Sequence, residues 1–367
     1  MNLVWLALRD YRSYASLDFH PDPGVNVLLG ENGSGKTSIL EAIGYLATLS
    51  SFRRSPDAAL VRLGADAAIT RGEFSSGPSG AVIEVETPAT GRRRVLVNGK
   101  GGRSRADVAG VVALVAFLPD DLDLVKRGPA YRRDYIDDVA AQAWPAAATE
   151  QTEYDRVLRQ RNALLRREGR SADGATLDVL DERMSELGGV LLARRLAICS
   201  LLGPAVSELY ADLGEEAEAV DWYYLAAGIG PVEGQPGAAE LAGGLRDGLS
   251  GARRADLERR TSTVGPHRDD LVISIGGRDA RSRASQGEQR SISLGMRLAA
   301  FHVLTERRGS APVLLLDDVF SELDASRGRR LVARLPRGQV FVTSARAEEV
   351  PLVGKRWRVV TGEVTAE

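Results

Sequence analysis

The sequence predicts an α/β fold interrupted by a mostly helical second lobe. Three observations carry that reading. An apolar run at residues 25–29 leads into GENGSGKT at residues 30–37, and helical spacing follows at residues 38–49. A second apolar run, residues 313–316, ends in the acidic pair Asp317-Asp318. Between these landmarks, from about residue 129 to residue 213, strand signals nearly vanish and helical ones dominate.

In chain order, residues 3–8 and 17–19 read as short strands, and residues 25–29 as the strand before the glycine-rich loop. Residues 81–86 and 92–97 read as two more, with Asn98-Gly99 as a hairpin turn. Residues 111–118 form a continuous apolar run, expected to be a buried strand, and stop at Pro119-Asp120-Asp121. Leu177, Leu180, Met184, Leu187 and Leu191 repeat at steps of three and four, a short a/d seam that Arg194 interrupts. A packed lobe is expected there, not a coiled-coil rod. Residues 228–251 read as a glycine-rich loop with room for one short helix. Residues 271–275 read as a strand, 286–306 as a long helix, 313–316 as a buried strand, and a helix starts at about Asp324. Strands at 339–343 and near Trp357 complete the set. The expected division is 1–127 and 261–367 for the two parts of the head and 128–260 for the helical lobe.

Composition sets loose limits. A chain of 367 residues has room for two domains. A formal charge of −2 provides no global basic field, although a local patch suffices for nucleic acid. Cys199 is the only cysteine, which excludes an internal disulfide and a cysteine-based metal site; it is expected in the core. The start, MNLVWLALRDY, lacks the basic and long apolar regions of a signal peptide, and no apolar run approaches membrane-spanning length. A soluble cytoplasmic protein with no membrane partner is expected. His20, His267 and His302 are too scattered for a metal triad, and His267 is expected to orient its own turn by hydrogen bonding.

GENGSGKT has the spacing of a phosphate loop in its proper strand–loop–helix context. Gly30, Gly33 and Gly35 let the backbone turn tightly enough for its N–H groups to face inward. The helix opening at Lys36 aims its positive end at the same point. Lys36 is expected to reach the terminal phosphates of ATP, and Thr37 to hold Mg²⁺. Asn32, Ser34 and Ser38 belong to the same nucleotide-binding set. Asp317 is the candidate Mg²⁺ carboxylate, shared with Thr37, and Asp318 the candidate to orient the attacking water. Apolar strands often end in Asp; its pairing with the loop gives this one its meaning.

Ser285-Gln286-Gly287-Glu288 opens the long helix at residues 286–306. Ser285 and Glu288 have the spacing of a capping box. The same geometry presents a hydroxyl, N–H groups and a helix dipole to an anion. The segment resembles the LSGGQ or LSGGE signature of ABC-type ATPases, and Ser321-Glu322-Leu323-Asp324 is similar to their D-loop. The resemblance implies an ABC-type (SMC-like head) P-loop ATPase domain. Its signature would bind the γ-phosphate held by a second subunit, in an ATP-dependent homodimer.

Longer strings resemble the RecF family of bacterial recombination mediators: DYRSY at 10–14, GENGSGKTSILEAI at 30–43, FLPDDLDLVKRGPAYRRDYID at 117–137, TSTVGPHRDDL at 261–271, SQGEQR at 285–290 and LLLDDVFSELD at 314–324. GPHRDDL and PDDLDLVKRGP have no counterpart in generic ABC subunits. The resemblance implies an ATP-gated protein that binds duplex, gapped or junction DNA. It would act with RecR and RecO to help RecA replace single-strand-binding protein. Other readings are an ATPase subunit of a membrane transporter and a small-molecule P-loop kinase. The first would carry a Q-loop glutamine and a switch histidine, and the second has no need of the signature or D-loop strings.

Asp318 replaces the usual glutamate, Pro119-Asp120 stands where a Q-loop glutamine is expected, and Thr343 and Ser344 take the place of the switch residue. Slow, DNA-dependent turnover is therefore expected, with ATP acting mainly as a clamp. Arg12 in DYRSY is placed either to approach the nucleotide or on an exposed strand edge. Arg92, Arg93, Arg94, Lys100, Arg103 and Arg105 form a basic cluster without an acid, the candidate DNA contact. Arginines at residues 156–167 read as an ordinary solvated face, and Arg132-Arg133 as structural, DNA-binding or dimer-forming. Aromatic residues are only 5% of the chain, which favours backbone contact with duplex or junction over base stacking.

Overall fold

A computed structural model of the chain describes all residues except 78, 103–104, 214–217 and 336, and describes residues 79 and 322 without their side chains. Two compact units are present. The first takes in Met1–Asp121 and Leu294–Glu367, the second Leu122–Ala211 and the stretch that ends at Ser293. The second unit thus starts before residue 128 and runs well beyond residue 260, so it contains the serine-led start of the long helix.

The strands in chain order are β1 (Asn2–Tyr11), β2 (Tyr14–Phe19), β3 (Val25–Leu29), β4 (Ala67–Ser76), β5 (Ser79–Pro88), β6 (Arg94–Val97), β7 (Lys100–Gly102) and β8 (Leu114–Phe117). They continue with β9 (Val220–Ala226), β10 (Gly230–Val232), β11 (Asp270–Ile275), β12 (Arg278–Asp279), β13 (Val313–Asp317), β14 (Val340–Ser344), β15 (Lys355–Val360) and β16 (Glu363–Ala366).

The first unit holds two six-stranded sheets. One is antiparallel, in the order β2-β1-β4-β5-β6-β7. The other runs β16-β15-β3-β14-β13-β8 and is parallel except for β16. β13 and β14 are buried along their whole length, as parallel strands covered on both faces are. The helix Lys36–Thr48 is buried nearly all round, from Lys36 to Ala47. One core joins Leu6 and Leu8 of β1, Ile39, Ile43 and Leu46 of this helix, Leu315 of β13 and Phe341 of β14. The two sheets are also tied by a buried amide. Gln339 accepts from the Leu3 amide at 2.6 Å and donates to the Leu3 and Asp22 carbonyls at 3.0 and 2.9 Å.

The run at 111–118 yields a strand of only four residues, β8, with the short helix Arg105–Ala109 ahead of it. β4 lies in a stretch with no strand expectation. Its alternating burial puts one face on the core.

The second unit combines the helices Pro129–Ala143, Pro145–Glu168, Gly174–Leu213 and Ala238–Arg259 with the antiparallel sheet β10-β9-β11-β12. Leu177, Met184 and Leu191 of the seam are buried with Tyr154, Val157, Leu164 and Leu165 of the helix Pro145–Glu168. Arg194, beyond the seam, pairs with Glu150 at 3.0 Å. The lobe is packed, as its interrupted seam implies.

Residues 228–251 are largely not loop, because Ala238–Arg259 is a helix of 22 residues. Leu241, Leu245 and Leu249, four apart, are buried on one face. Gly248 serves close packing: a Cβ there would lie 2.8 Å from the Gly228 carbonyl oxygen. Likewise, Gly174–Leu213 is by length and composition apolar enough to cross a membrane, against the expectation of no such run. Half of its apolar window is buried inside the protein, and Arg195 within the helix is buried against Asp137 at 2.7 and 2.8 Å. Those are features of a core helix.

Buried charge organises this unit. Arg132 is 4% exposed and grips Asp270 with two hydrogen bonds, at 2.8 and 2.9 Å. Arg133 donates to the Asp269 carbonyl at 2.6 Å, and Arg195 to the Pro266 carbonyl at 2.6 Å. The Asp269 carboxylate accepts from the Tyr224 hydroxyl and the Ala227 amide. The Arg132-Arg133 pair is thus structural, and its partners are the GPHRDD turn. Arg161, against the expectation of a solvated face at 156–167, is fully buried and bridges Asp181 and Asp256 at 2.6 and 2.7 Å, held there because both carboxylates are buried beside it.

His267 bonds the Tyr154 hydroxyl at 2.8 Å and the Ser262 carbonyl at 3.1 Å, and burial lowers its pKa to about 4. An unfolded histidine takes its proton near pH ~6.5, so protonation favours the unfolded chain as pH falls between these values. The loss approaches roughly 3 kcal/mol near pH 4. Urea unfolding at pH 7.5 and at pH 4.5 should therefore show a smaller decline for His267→Gln than for the parent. Equal declines would count against the assignment.

Candidate nucleotide site

The loop between β3 and the helix Lys36–Thr48 depends on left-handed backbone at Gly33 (φ 82°) and Gly35 (φ 112°). Gly35 also needs its missing side chain. Tyr14, fully buried, donates its hydroxyl to the Gly35 carbonyl at 3.1 Å, and a Cβ at position 35 would sit 2.6 Å from that oxygen. Lys36 is buried and donates to the Gly30 and Glu31 carbonyls at 2.6 and 2.8 Å. Burial lowers its pKa, against the opposing pull of Asp318 and Asp317. Among the described residues, the buried Ser34 hydroxyl has no hydrogen-bond partner and the helix start has no side-chain cap. Asn32 and Gly33 are exposed at the loop tip, and Ser38 is buried in the first turn. Uncapped helix N–H groups, a buried ammonium and an unpaired hydroxyl fit a phosphate chain.

Strand register brings the acidic pair to this loop. Asp317 of β13 stands opposite Thr343 of β14, and Thr343 opposite Leu28 of β3. Asp317 Oδ1 accepts from Thr37 Oγ1 at 2.9 Å and from Thr343 Oγ1 at 2.7 Å. Burial raises the Asp317 pKa, partly offset by the hydrogen bonds from Thr343 and Thr37. No cluster of three His, Cys, Asp or Glu side chains suited to a metal occurs among the described residues. Thr37 and Asp317 nevertheless fit Mg²⁺, which takes one or two protein oxygens and completes its shell with phosphate and water. Asp318 is half-buried with φ 52°, and its amide donates to Thr343 Oγ1 at 2.9 Å.

Where the Q-loop is expected, Asp120 is exposed, while the neighbouring Asp121 is buried and held by Arg297 at 2.6 Å. Arg12 is on no open strand edge. It clasps the fully buried Glu41 at 2.8 and 2.7 Å and also donates to the Ala59 carbonyl and the Ser55 hydroxyl. Asp324 caps the helix Ala325–Arg334, accepting from the Ser326 and Arg327 amides at 2.9 Å. Ser321 Oγ donates to the Asp318 carbonyl at 2.8 Å.

In the second unit, Ser285 and Glu288 form the capping box of the helix Gln286–Arg308. The Ser285 amide donates to Glu288 at 2.6 Å, and the Glu288 amide to Ser285 Oγ at 3.2 Å. The bond from the Ser285 amide, helped by the Ser285 hydroxyl, lowers the pKa of the Glu288 carboxyl. Ser285 and Gln286 are exposed, with Gly287 and Glu288 half-buried.

In the basic hairpin, Arg92, Arg94 and Lys100 are exposed and Arg105 is half-buried. Arg93 is partly spent on structure, donating to the Leu49 carbonyl at 2.6 Å and pairing with Asp57 at 3.1 Å. Arg103 lies outside the described residues.

The RecF/RecN/SMC N terminal domain matches residues 2–365. The DNA replication and repair protein RecF of Frankia alni is 43% identical over 376 residues, 99% of each chain. The chain belongs to the RecF family. The RecF of Arthrobacter sp. is 40% identical over 396 residues, covering 99% of this chain and 98% of its own. The solved structure of the recombination mediator protein RecF with ATP, in the RecFOR pathway, matches with a TM-score of 0.92 at 28% identity, covering 100% of this chain and 97% of its own. The SMC head bound to the C-winged helix domain of ScpA shares the fold, with a TM-score of 0.57 at 17% identity, over 100% of this chain and 97% of its own. The α/β head with its inserted lobe is thus an SMC-like head of the RecF family.

Three residues at this site carried no assigned role in the sequence. Tyr14 lies inside the DYRSY string, and Glu41 is the one acid in an apolar helix, a visible sign of a buried partner. Thr343 was noted only as standing, with Ser344, in the place of the switch residue, without a role at the acidic pair.

Gly35→Ala should weaken ATP binding by roughly 5–150-fold, since a non-glycine held at this φ adds strain of order 1–3 kcal/mol. Adding Tyr14→Phe should not restore binding, because ring carbons remain 3.0 Å from the new Cβ and the backbone strain persists. Titration with a fluorescent ATP analogue measures this, and parental affinity in Gly35→Ala would contradict it.

Proposed function

We propose that this chain is an ATP-binding recombination mediator that closes as a homodimer on DNA during gap repair. The observation that carries the reading is the three-way contact of Thr37, Asp317 and Thr343 at a phosphate loop of the required form. Support comes from relatives named DNA replication and repair protein RecF and from the RecF–ATP structure in the RecFOR pathway. The match runs end to end, which leaves no support for a transporter subunit or a small-molecule kinase.

Gly30 to Ser38 would bind the phosphates of ATP, with Lys36 on the terminal ones. Thr37 and Asp317 would hold Mg²⁺, which supplies charge neutralisation between the phosphates. Asp318 would orient the attacking water in a weak, DNA-dependent hydrolysis that reopens the dimer. Ser285 and the helix it caps would engage the γ-phosphate held by a second copy, together with Gln286, Gly287, Glu288 and Asp324. Arg12 would act beside the site through Glu41 and the phosphate-loop helix. Arg92, Arg94, Lys100 and Arg105, with Arg93 in part and Arg103, would follow the DNA backbone. RecR and RecO would be its protein partners. ATP would stabilise the closed state only through contacts absent from the open one.

Light scattering after size-exclusion chromatography, with ATP and with ADP, tests the switch. The parent should dimerise with ATP alone, and its binding to gapped duplex should fall steeply with salt. Lys36→Met should lose ATP binding and pairing together. Ser285→Arg should bind ATP as a monomer yet fail to pair; if it still pairs, the signature assignment is wrong.

A further inference from the structure

We infer that Thr343 is a positioning residue for ATP hydrolysis, one that joins the metal-binding carboxylate of Asp317 to the water-orienting carboxylate of Asp318. This rests on the roles proposed above for the two aspartates and adds a third residue that makes them a unit.

A threonine hydroxyl has one proton to give and two lone pairs. At Thr343 the proton goes to Asp317 Oδ1 at 2.7 Å, and a lone pair receives the Asp318 amide at 2.9 Å. The residue is 1% exposed, so water cannot replace it in either bond. Consecutive side chains on a strand point to opposite faces. Two adjacent acids at a strand end would therefore diverge unless the backbone departs from the extended form between them. It does depart: Asp318 is left-handed at φ 52°, an uncommon state for a residue with a side chain. Such a state persists where its surroundings over-determine it. Here both ends of the residue are held, the amide by Thr343 and the carbonyl by Ser321 Oγ at 2.8 Å. Both carboxylates act on Lys36, Asp318 the more strongly. Thr343 thus stabilises the turn at Asp318 while fixing the Asp317 carboxylate shared with Thr37.

The test compares Thr343→Val, of similar shape without the hydroxyl, with Thr343→Ser, which keeps it. In Thr343→Val, kcat should fall about 10–100-fold and the Mg²⁺ concentration for half-maximal binding of a fluorescent ATP analogue should rise severalfold, the usual effect of losing a group that orients a metal ligand. Binding of the analogue without Mg²⁺ should not change. Thr343→Ser should restore both quantities. A residue that merely fills space would leave the Mg²⁺ dependence unmoved and would not be rescued by serine, and that pattern overturns the inference. Should the valine variant fail to fold, Ser321→Ala releases the other end of Asp318 from an exposed position. It should lower kcat severalfold with the Mg²⁺ dependence intact, and unchanged turnover there overturns the inference too. If the parent itself neither binds nor hydrolyses ATP, the proposed function falls instead.

Discussion

The first unit is organised around one carboxylate oxygen. Asp317 Oδ1 takes a hydrogen bond from Thr37, at the start of the phosphate-loop helix, and another from Thr343, on the strand between β3 and β13. Three segments that are remote in sequence meet at that atom. The contact is possible only because β14 lies between β3 and β13, in a register that sets Thr343 beside both Leu28 and Asp317. Burial disfavours charge on Asp317 and on Lys36 alike. A site with both groups desolvated gains most from a substrate that carries opposite charges to each, and a magnesium triphosphate does so.

The second unit meets a different constraint. Arg132 and Arg133, near the end of the family-like string at 117–137, and the GPHRDD turn are the two sides of one buried ionic clasp. Arg132 holds Asp270, Arg133 holds the Asp269 carbonyl, and Arg195 reaches both Asp137 and Pro266. Removing one member of a buried pair strands the other without water, at a cost of about 3–5 kcal/mol. These residues are therefore constrained by each other before they are constrained by any ligand. The sheet β10-β9-β11-β12 enters the same arrangement through Tyr224, whose hydroxyl lies between Arg195 and Asp269. The strings that look most like functional signatures are, in this lobe, the means by which distant helices and a strand are held together.

What could be read from the sequence follows the range of the interactions. The phosphate loop and the capping box at Ser285 are local, closed within four to eight residues, and both appear where their spacing puts them. The strands at 25–29, 271–275 and 313–316 announce themselves by continuous or alternating apolar residues. The failures are contacts between residues far apart. Glycines at 228–251 suggest a loop when counted along the chain, but Gly248 is there because the Gly228 backbone crosses it closely. Arg132 has the composition of a DNA contact until Asp270, 138 residues later, is placed against it. Arg12 has the same ambiguity until Glu41 is seen to be buried beneath it. Charge type is legible in a sequence; whether a charge faces water is decided by tertiary packing.

Thr343, which with Ser344 takes the place of a switch histidine, illustrates how the two scales combine. An imidazole there would titrate near neutrality and offer its proton outward. A threonine hydroxyl does not titrate, and in this chain its proton is already given to Asp317 while it receives the Asp318 amide. The position has become part of the acid pair's own support. Asp318 is one methylene shorter than the usual glutamate, and it is displaced from the strand by a left-handed turn that the same hydroxyl stabilises. The shorter acid, the non-titrating neighbour and the turned backbone are thus linked consequences of one arrangement, in which Asp318 is held at both its amide and its carbonyl.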